Sequence, residues 1–100
     1  MDTTIFKEKI EPLLNELQIK NTEEIIKDYL ITEILYKISE FKDEIEKFDK
    51  KYKKPFEKVK KEYQKNEENF EIFDDLNAWK FAIDGYNYWN KKLKELESVF

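Results

Sequence analysis

The stretch ITEILYKISEFKDEIEKFDKKY, residues 31–52, decides the fold, because its large apolar residues recur at alternating spacings of three and four. This heptad spacing puts them on one side of an α-helix, whereas the side chains of a β-strand alternate with a period of two. Oppositely charged pairs four residues apart, Glu33 with Lys37 and Asp43 with Lys47, favour the same helix on its solvated side. The apolar seam consists of Ile31, Ile34, Ile38, Phe41, Ile45, Phe48 and Tyr52.

Signals on either side of this stretch predict one helix of about 30 residues. Asn21 can cap its start, and Glu24 three residues later has the spacing of a capping box. Pro55 ends the helix, because the residue before a proline is disfavoured in the helical conformation. A short helix from Pro55 to about Asn66 follows. Its apolar face consists of Phe56, Val59 and Tyr63.

The N-terminal residues carry a separate helical pattern, which begins at Thr3 or Thr4 and runs to Leu17. Pro12 lies inside it, where a proline removes a backbone donor and clashes with the preceding turn. We therefore expect either a kink at Pro12 or a helix that begins at Glu11.

The last helix follows a polar loop at residues 66–69, starts between Phe70 and Ile72, and continues to the C-terminus. Gly85 lies inside it and costs about 1 kcal/mol relative to alanine, which predicts a close crossing by another backbone. The apolar repeat of this helix consists of Ile72, Leu76, Trp79, Ile83 and Tyr86.

Composition agrees with a helical fold. The 100 residues include 1 glycine and 2 prolines, too few for a β fold that turns every ten residues or so. Aromatic residues make up 16% of the chain, which argues against disorder. Two long helices bury their seams most simply by packing antiparallel. The predicted fold is all-α: a long antiparallel helical hairpin, coiled-coil-like, with short flanking helices, in a single domain of residues 1–100.

Catalysis is not expected. The chain has no histidine and no cysteine, which removes the commonest general base, the thiol nucleophile and most transition-metal sites. The adjacent pair Asp74 and Asp75 is explained by the favourable interaction of negative charge with a helix start. We predict no enzyme activity, no cofactor and no metal. No apolar run is long enough to span a membrane, and no signal peptide is recognisable, so we expect a cytoplasmic protein.

A lysine-rich segment, residues 50–65, offers one possible binding surface, since aromatic residues that could stack on bases lie between its lysines. The chain nevertheless lacks arginine, the commonest base reader, and its net charge is −4. A solvated helix face is the better interpretation, and RNA or DNA binding through this segment is the less favoured one.

The segment FEIFDDLNAW, residues 70–79, offers a second possible surface, because it combines large aromatic residues with acids. Aromatic residues are enriched at interaction hot spots, and neighbouring acids would suit a basic partner. The alternative, that the segment is core plus a solvated face, remains open. The predicted partner-binding residues are Phe73, Asp74, Asp75, Trp79 and Lys80.

Over residues 29–100 the chain resembles short helical prokaryotic antitoxins, such as the partners of the toxins in TumE-type toxin–antitoxin systems. The resemblance rests on a long helix that ends in Phe48-x-x-x-Tyr52, on Phe56 followed by charged residues, and on the acidic turn and aromatic helix of residues 74–80. Residues 53–55, Lys-Lys-Pro, depart from the pattern, which usually has a glycine-containing turn there. The resemblance implies a protein that binds and neutralises a small, basic toxin.

The function that we predict is therefore a non-enzymatic, antitoxin-like protein-binding module. The first alternative is a self-associating structural or adaptor protein, because the seam from Ile31 to Tyr52 and the surplus aromatic residues predict a homodimer. The second alternative is the nucleic-acid module already described.

Overall fold

In the computed structural model, residues 3–19, 21–65 and 69–99 are described, and within these ranges the chain is helical and contains no strand. The predicted all-α class is thereby confirmed. The chain divides into two compact units, Met1–Leu30 and Ile31–Phe100, with the boundary inside α3. The helices are α1 (Thr3–Ile5), α2 (Glu11–Glu16), α3 (Thr22–Tyr52), α4 (Phe56–Gln64) and α5 (Phe70–Val99).

In the unit Met1–Leu30, a π-helical segment, Phe6–Ile10, joins α1 to α2. The second helix begins at Glu11, so Pro12 occupies its first turn, where a missing backbone donor costs nothing. After α2 the chain reverses through a Schellman motif, in which the amides of Gln18 and Ile19 donate to the carbonyls of Asn15 and Leu14. Gln18 adopts the left-handed conformation, with φ of 61°.

The start and end of α3 follow the sequence signals closely. The side chain of Asn21 accepts a hydrogen bond from the Glu23 amide at 2.9 Å and caps the helix. At the other end Lys53 has φ of 54°, and its amide donates to the carbonyl of Asp49 at 2.8 Å. This is the αL termination that glycine usually provides. Lys53 thus occupies a helix-terminating position at which glycine is the usual residue.

In the unit Ile31–Phe100, α3 and α5 form the predicted antiparallel hairpin. Phe41 lies against Phe81, and Tyr52, further along α3, stacks on Trp79, earlier in α5. Rising residue numbers in α3 therefore meet falling numbers in α5. The short helix α4 makes the turn between them and packs on α5. Pro55 is the N-cap of α4 in an extended conformation, one position before the helical start expected for it.

The core of this unit lies where the three helices meet. Asn69 caps α5 by accepting hydrogen bonds from the amides of Glu71 and Ile72 at 3.1 and 3.3 Å. Of the polar loop predicted at residues 66–69, residues 66–68 lie outside the described residues. Partly buried apolar side chains, among them Tyr52 and Ile72, surround the core. Among the described residues of this unit, the buried side chains are Phe48, Val59, Leu76, Trp79 and Ala82.

Gly85 corrects one expectation about the hairpin. The close neighbour is the ring of Phe41 and not a second backbone: a Cβ built on Gly85 would lie 2.5 Å from the Cζ atom of Phe41. The physical reason is that large seam residues hold the two helix axes apart, and a ring fills the space that a closer backbone would occupy. Among the described helices, none is both long enough and apolar enough to cross a membrane.

Candidate functional site

Trp79 is the centre of the aromatic packing in the hairpin. It stacks on Phe48 and on Tyr52, each with 5.6 Å between ring centroids, and meets Phe56 edge-on at 5.4 Å. These rings come from α3 and from the start of α4, so one side chain of α5 holds three helices together. Only 1% of Trp79 is exposed. In this conformation Trp79 supports the surface from below and is not itself accessible to a partner.

A polar network links α3 to α5 beside this packing. The Nζ atom of Lys51 donates to Oε1 of Glu71 at 2.9 Å and to Oδ2 of Asp75 at 2.5 Å. The hydroxyl of Tyr52 donates to the same Oδ2 of Asp75. The Asp75 side chain is only 19% exposed, so most of its carboxylate is committed to α3.

The ionisation of this network follows from its contacts. Burial disfavours the charged carboxylate of Asp75, but hydrogen bonds from Lys51 and Tyr52 outweigh burial and lower its pKa. Burial, aided by the hydrogen bond to Asp75, raises the pKa of Tyr52 to about 12. The hydrogen bonds to Asp75 and then Glu71 raise the pKa of Lys51. At neutral pH Asp75 is therefore a carboxylate, Lys51 an ammonium and Tyr52 a neutral phenol.

An open, largely apolar cavity of about 200 Å³ lies between α4 and α5, and we call it the α4–α5 groove. Its wall on α5 includes Phe73, which is 46% exposed and lies 6.2 Å from Tyr63 of α4, measured between ring centroids. The groove is lined by Phe56, Lys60, Tyr63, Gln64, Phe73, Leu76, Asn77 and Lys80.

The size and lining of the groove limit what it can hold. A protein cavity of about 150 Å³ accommodates a benzene ring, whereas sites for drug-sized ligands and cofactors usually measure about 300–1,000 Å³. The α4–α5 groove therefore suits one large apolar side chain better than a cofactor. A second cavity of about 210 Å³ lies nearby, and Glu62 is one of its lining residues. The carboxylate of Glu62 is already paired with the ammonium group of Lys54.

The five residues predicted to bind a partner do not form one surface. Phe73 and Lys80 both line the α4–α5 groove. Asp74 is exposed but does not line the groove, and Asp75 is bonded to α3. Trp79 is in the core. Neighbouring positions on a helix differ by about 100° around its axis, and this rotation separates residues that are adjacent in sequence.

Sequence reasoning missed the half of the groove that α4 contributes. The sequence places Phe56 and Tyr63 on one face of a short helix but does not indicate which element packs beside that face. Lys60 and Gln64 lie beside that face and also line the groove. The spacing of Phe56, Lys60 and Tyr63 by four and three residues was a usable signal, because such spacing puts residues on one helix face.

The seam predicted for self-association is partly occupied within the chain. Phe48 is buried against Trp79, Tyr52 stacks on the same indole, and Phe41 lies against Gly85 and Phe81. The remaining members, all half-buried, are Ile31, Ile34, Ile38 and Ile45. The homodimer stays a prediction, and a second copy would have to pair with other surface or displace α5.

The lysine-rich segment is partly neutralised by acids, some from α5 and one from the segment itself. Lys51 forms ion pairs with Glu71 and Asp75, and the Nζ atom of Lys54 lies 3.0 Å from Oε1 of Glu62. Each internal pair competes with a phosphate for the same ammonium group. Within the described ranges, no cluster of three or more acidic, histidine or cysteine side chains could hold a metal ion.

The geometry thus describes a class of protein, a helical hairpin with a short third helix and an apolar side groove. No family model, curated protein or solved structure matches this chain. The resemblance to TumE-type antitoxins is thus carried by the quoted residues alone and stays a prediction.

Proposed function

We propose that this protein is a non-enzymatic protein-binding module, antitoxin-like in role, that neutralises a small partner protein by holding one of its segments in the α4–α5 groove. The observation that carries the proposal is the groove itself. It leaves Phe73 half exposed, although Phe73 lies directly beside Tyr63 and the buried Leu76. An apolar side chain from a partner would bury these surfaces together, and each buried CH₂ contributes about 0.8 kcal/mol.

The surrounding contacts suit such a role because the groove is built on packed side chains. The floor of the groove rests on Trp79 through Phe56, whose ring packs edge-on against the indole at 5.4 Å. A preformed site loses less conformational entropy on binding than a site that must first be ordered. Neutralisation needs no chemistry from the antitoxin, which agrees with a sequence that lacks histidine and cysteine. A cytoplasmic location and a basic toxin belong to the same proposal.

The test is a growth assay with a matched pair of phenylalanine variants. Small genes adjacent to the one encoding this chain would be expressed alone to find one that arrests growth, and then together with the chain. Phe73→Ala should lose protection against such a toxin. Phe70→Ala, on the same helix but 81% exposed and outside the groove, should retain it.

Equal protection by both variants would exclude the groove as the neutralising surface. Circular dichroism melts of both variants provide the folding control. If no neighbouring gene product is toxic, or if the chain protects against none, the antitoxin role is rejected.

Self-association is a second candidate, favoured by a different observation. In the unit Met1–Leu30, none of the residues whose side chains are described is buried. An apolar surface of this kind commonly marks an interface. The exposed large apolar side chains of this unit are Ile5, Ile10, Leu13, Leu17, Ile26, Tyr29 and Leu30.

Sedimentation equilibrium tests the second candidate at micromolar concentration. The parent chain should form a homodimer, and Leu13→Gln with Leu17→Gln should shift it to the 12.4 kDa monomer. Phe73→Ala should leave the dimer intact, because Phe73 lies in the groove of the other unit. A parent chain that is monomeric throughout would rule out self-association.

A further inference from the structure

The polar groups around the α4–α5 groove have one sign of charge. Lys60 of α4 and Lys80 of α5 line it, together with the neutral amides of Gln64 and Asn77. No carboxylate is among the lining residues. This arrangement differs from the net charge of the surrounding sequence, because residues 66–84 contain one lysine and six acids.

The four acids between residues 70 and 84 of α5 leave the groove basic for identifiable reasons. Asp74 is exposed and does not line the groove. Glu71 and Asp75 are bonded to Lys51. Asp84 pairs with Lys80 at 3.0 Å, but both side chains are more than half exposed. An exposed pair of this kind contributes little and exchanges readily with another carboxylate. Lys80 is therefore available to an incoming acid.

The walls of the groove indicate the shape of the occupant. They are two packed helices, and a third helix can lie along the valley between them with its apolar side chains directed inward. The cavity of about 200 Å³ then takes one large side chain of that helix. Acids on either side of the anchor would approach Lys60 and Lys80.

We propose that the α4–α5 groove receives an acidic amphipathic helix of the partner protein, with one aromatic or leucine anchor in the cavity and flanking carboxylates at Lys60 and Lys80. This inference rests on the proposed function and specifies the chemistry of the partner segment. For the inserted segment we thus expect acidic residues, in place of the basic residues that Asp74 and Asp75 suggested from sequence.

The experiment uses designed peptides as probes, of about 12–15 residues, the length at which isolated helices become marginally stable. The acidic peptide carries one Phe anchor among leucines on one face and Glu on its flanks. In the basic peptide every Glu is replaced by Lys, and in a third peptide the anchor is Ala. Affinities would be measured with the full chain by fluorescence anisotropy, near physiological salt. Shifts of the Asn77 and Lys80 amide signals in NMR spectra would locate the bound peptide.

The protein variants distinguish the effect of the charges in the groove on binding from the effect of the net charge of the protein. Lys60→Glu with Lys80→Glu reverses the groove, and Lys60→Gln with Lys80→Gln neutralises it. The matched control, Lys91→Glu with Lys94→Glu, has the same net charge as the first variant but changes exposed lysines of α5 that do not line the groove. We expect the parent chain and the control to prefer the acidic peptide by about tenfold, as two exposed charge pairs allow. The neutral variant should lose most of this preference, and the reversed variant should prefer the basic peptide.

The possible outcomes are distinct. Equal affinity for both charged peptides, or a preference unaffected by Lys60 and Lys80, overturns the acidic partner. A preference of the parent chain for the basic peptide overturns it as well. Binding that survives replacement of the anchor by Ala shows that the cavity is not used and also overturns the inference. None of these results removes the proposed function, which the growth assay with Phe73→Ala and Phe70→Ala decides separately.

Discussion

Replacing Gly85 by alanine should destabilise the protein, although alanine is the better helix former. Inside a helix alanine is favoured over glycine by about 1 kcal/mol. The new Cβ, however, would lie 2.5 to 2.7 Å from the Cζ, Cε1 and Cε2 atoms of Phe41. Optimal carbon–carbon separation is about 3.5–4.0 Å, and overpacking of this kind typically costs about 1–3 kcal/mol. We therefore expect a net loss of about 1 kcal/mol.

The sign of this effect should reverse when Phe41 is replaced by leucine. Leucine lacks the three ring atoms that meet the Cβ, so Phe41→Leu removes the overlap and keeps an apolar residue on the seam. Phe41→Leu by itself should cost about 1 kcal/mol in lost burial. In that background Gly85→Ala should stabilise by about 0.5–1 kcal/mol, because only its helix preference remains.

Urea denaturation followed by circular dichroism measures the four free energies of unfolding that this cycle needs. The coupling between the two positions should be about 1.5–2 kcal/mol, within the range of about 0.5–3 kcal/mol for residues in contact. Asn87→Ala is the control, because it adds an alanine at an exposed site of α5 and should stabilise equally in both backgrounds. If Gly85→Ala stabilises the parent and the Phe41→Leu protein alike, Phe41 does not fill the space beside Gly85 and the packing argument is refuted.

Three further predictions concern the end of α3 and its polar network. Lys53→Gly should stabilise by about 0.5–1 kcal/mol in chemical denaturation, because it relieves the left-handed backbone of Lys53, whereas Lys53→Ala should give no such gain. Asp75→Asn should lower the free energy of unfolding by about 1–2 kcal/mol at neutral pH. Because folding lowers the pKa of Asp75, this difference should disappear as the pH falls below about 4, and the control Asp74→Asn should have little effect. Because folding raises the pKa of Tyr52 from 10.0 to about 12, its contribution to stability should persist below pH 10 and be lost between pH 10 and 12. In an absorbance titration, Tyr52→Phe should remove one phenol that ionises near pH 12 in the parent chain.

Local rules explain why the helices could be predicted. Asn21 and Pro55 act on neighbouring backbone atoms, so the limits of α3, Thr22–Tyr52, follow from residues next to them. The heptad seam determines which face of α3 is apolar, and a second amphipathic helix is its simplest cover. These features depend on short sequence separations, and the hairpin in the unit Ile31–Phe100 agrees with them.

Contacts between distant residues could not be predicted in the same way. Tyr52 and Asp75 are 23 residues apart, and their hydrogen bond depends on the rotation of α5 relative to α3. A rotation of one residue would have directed Asp74 towards α3 and left Asp75 in solvent. The sequence showed two equivalent aspartates, whereas the packing of Trp79 makes one a structural group and leaves the other exposed.

The charge of a surface likewise depends on which charged side chains are paired with one another in the folded chain. Residues 66–84 carry a net charge of −5, which favoured a basic partner as long as the sequence alone was considered. Folding commits Glu71 and Asp75 to Lys51, and it brings Lys60 of α4 beside Lys80 of α5. An acidic segment of the chain thus contributes to a groove whose charged lining is lysine. A partner that binds this groove interacts with the charges that line it once the hairpin has formed. Its carboxylates would contact the ammonium groups of Lys60 and Lys80 around an apolar floor.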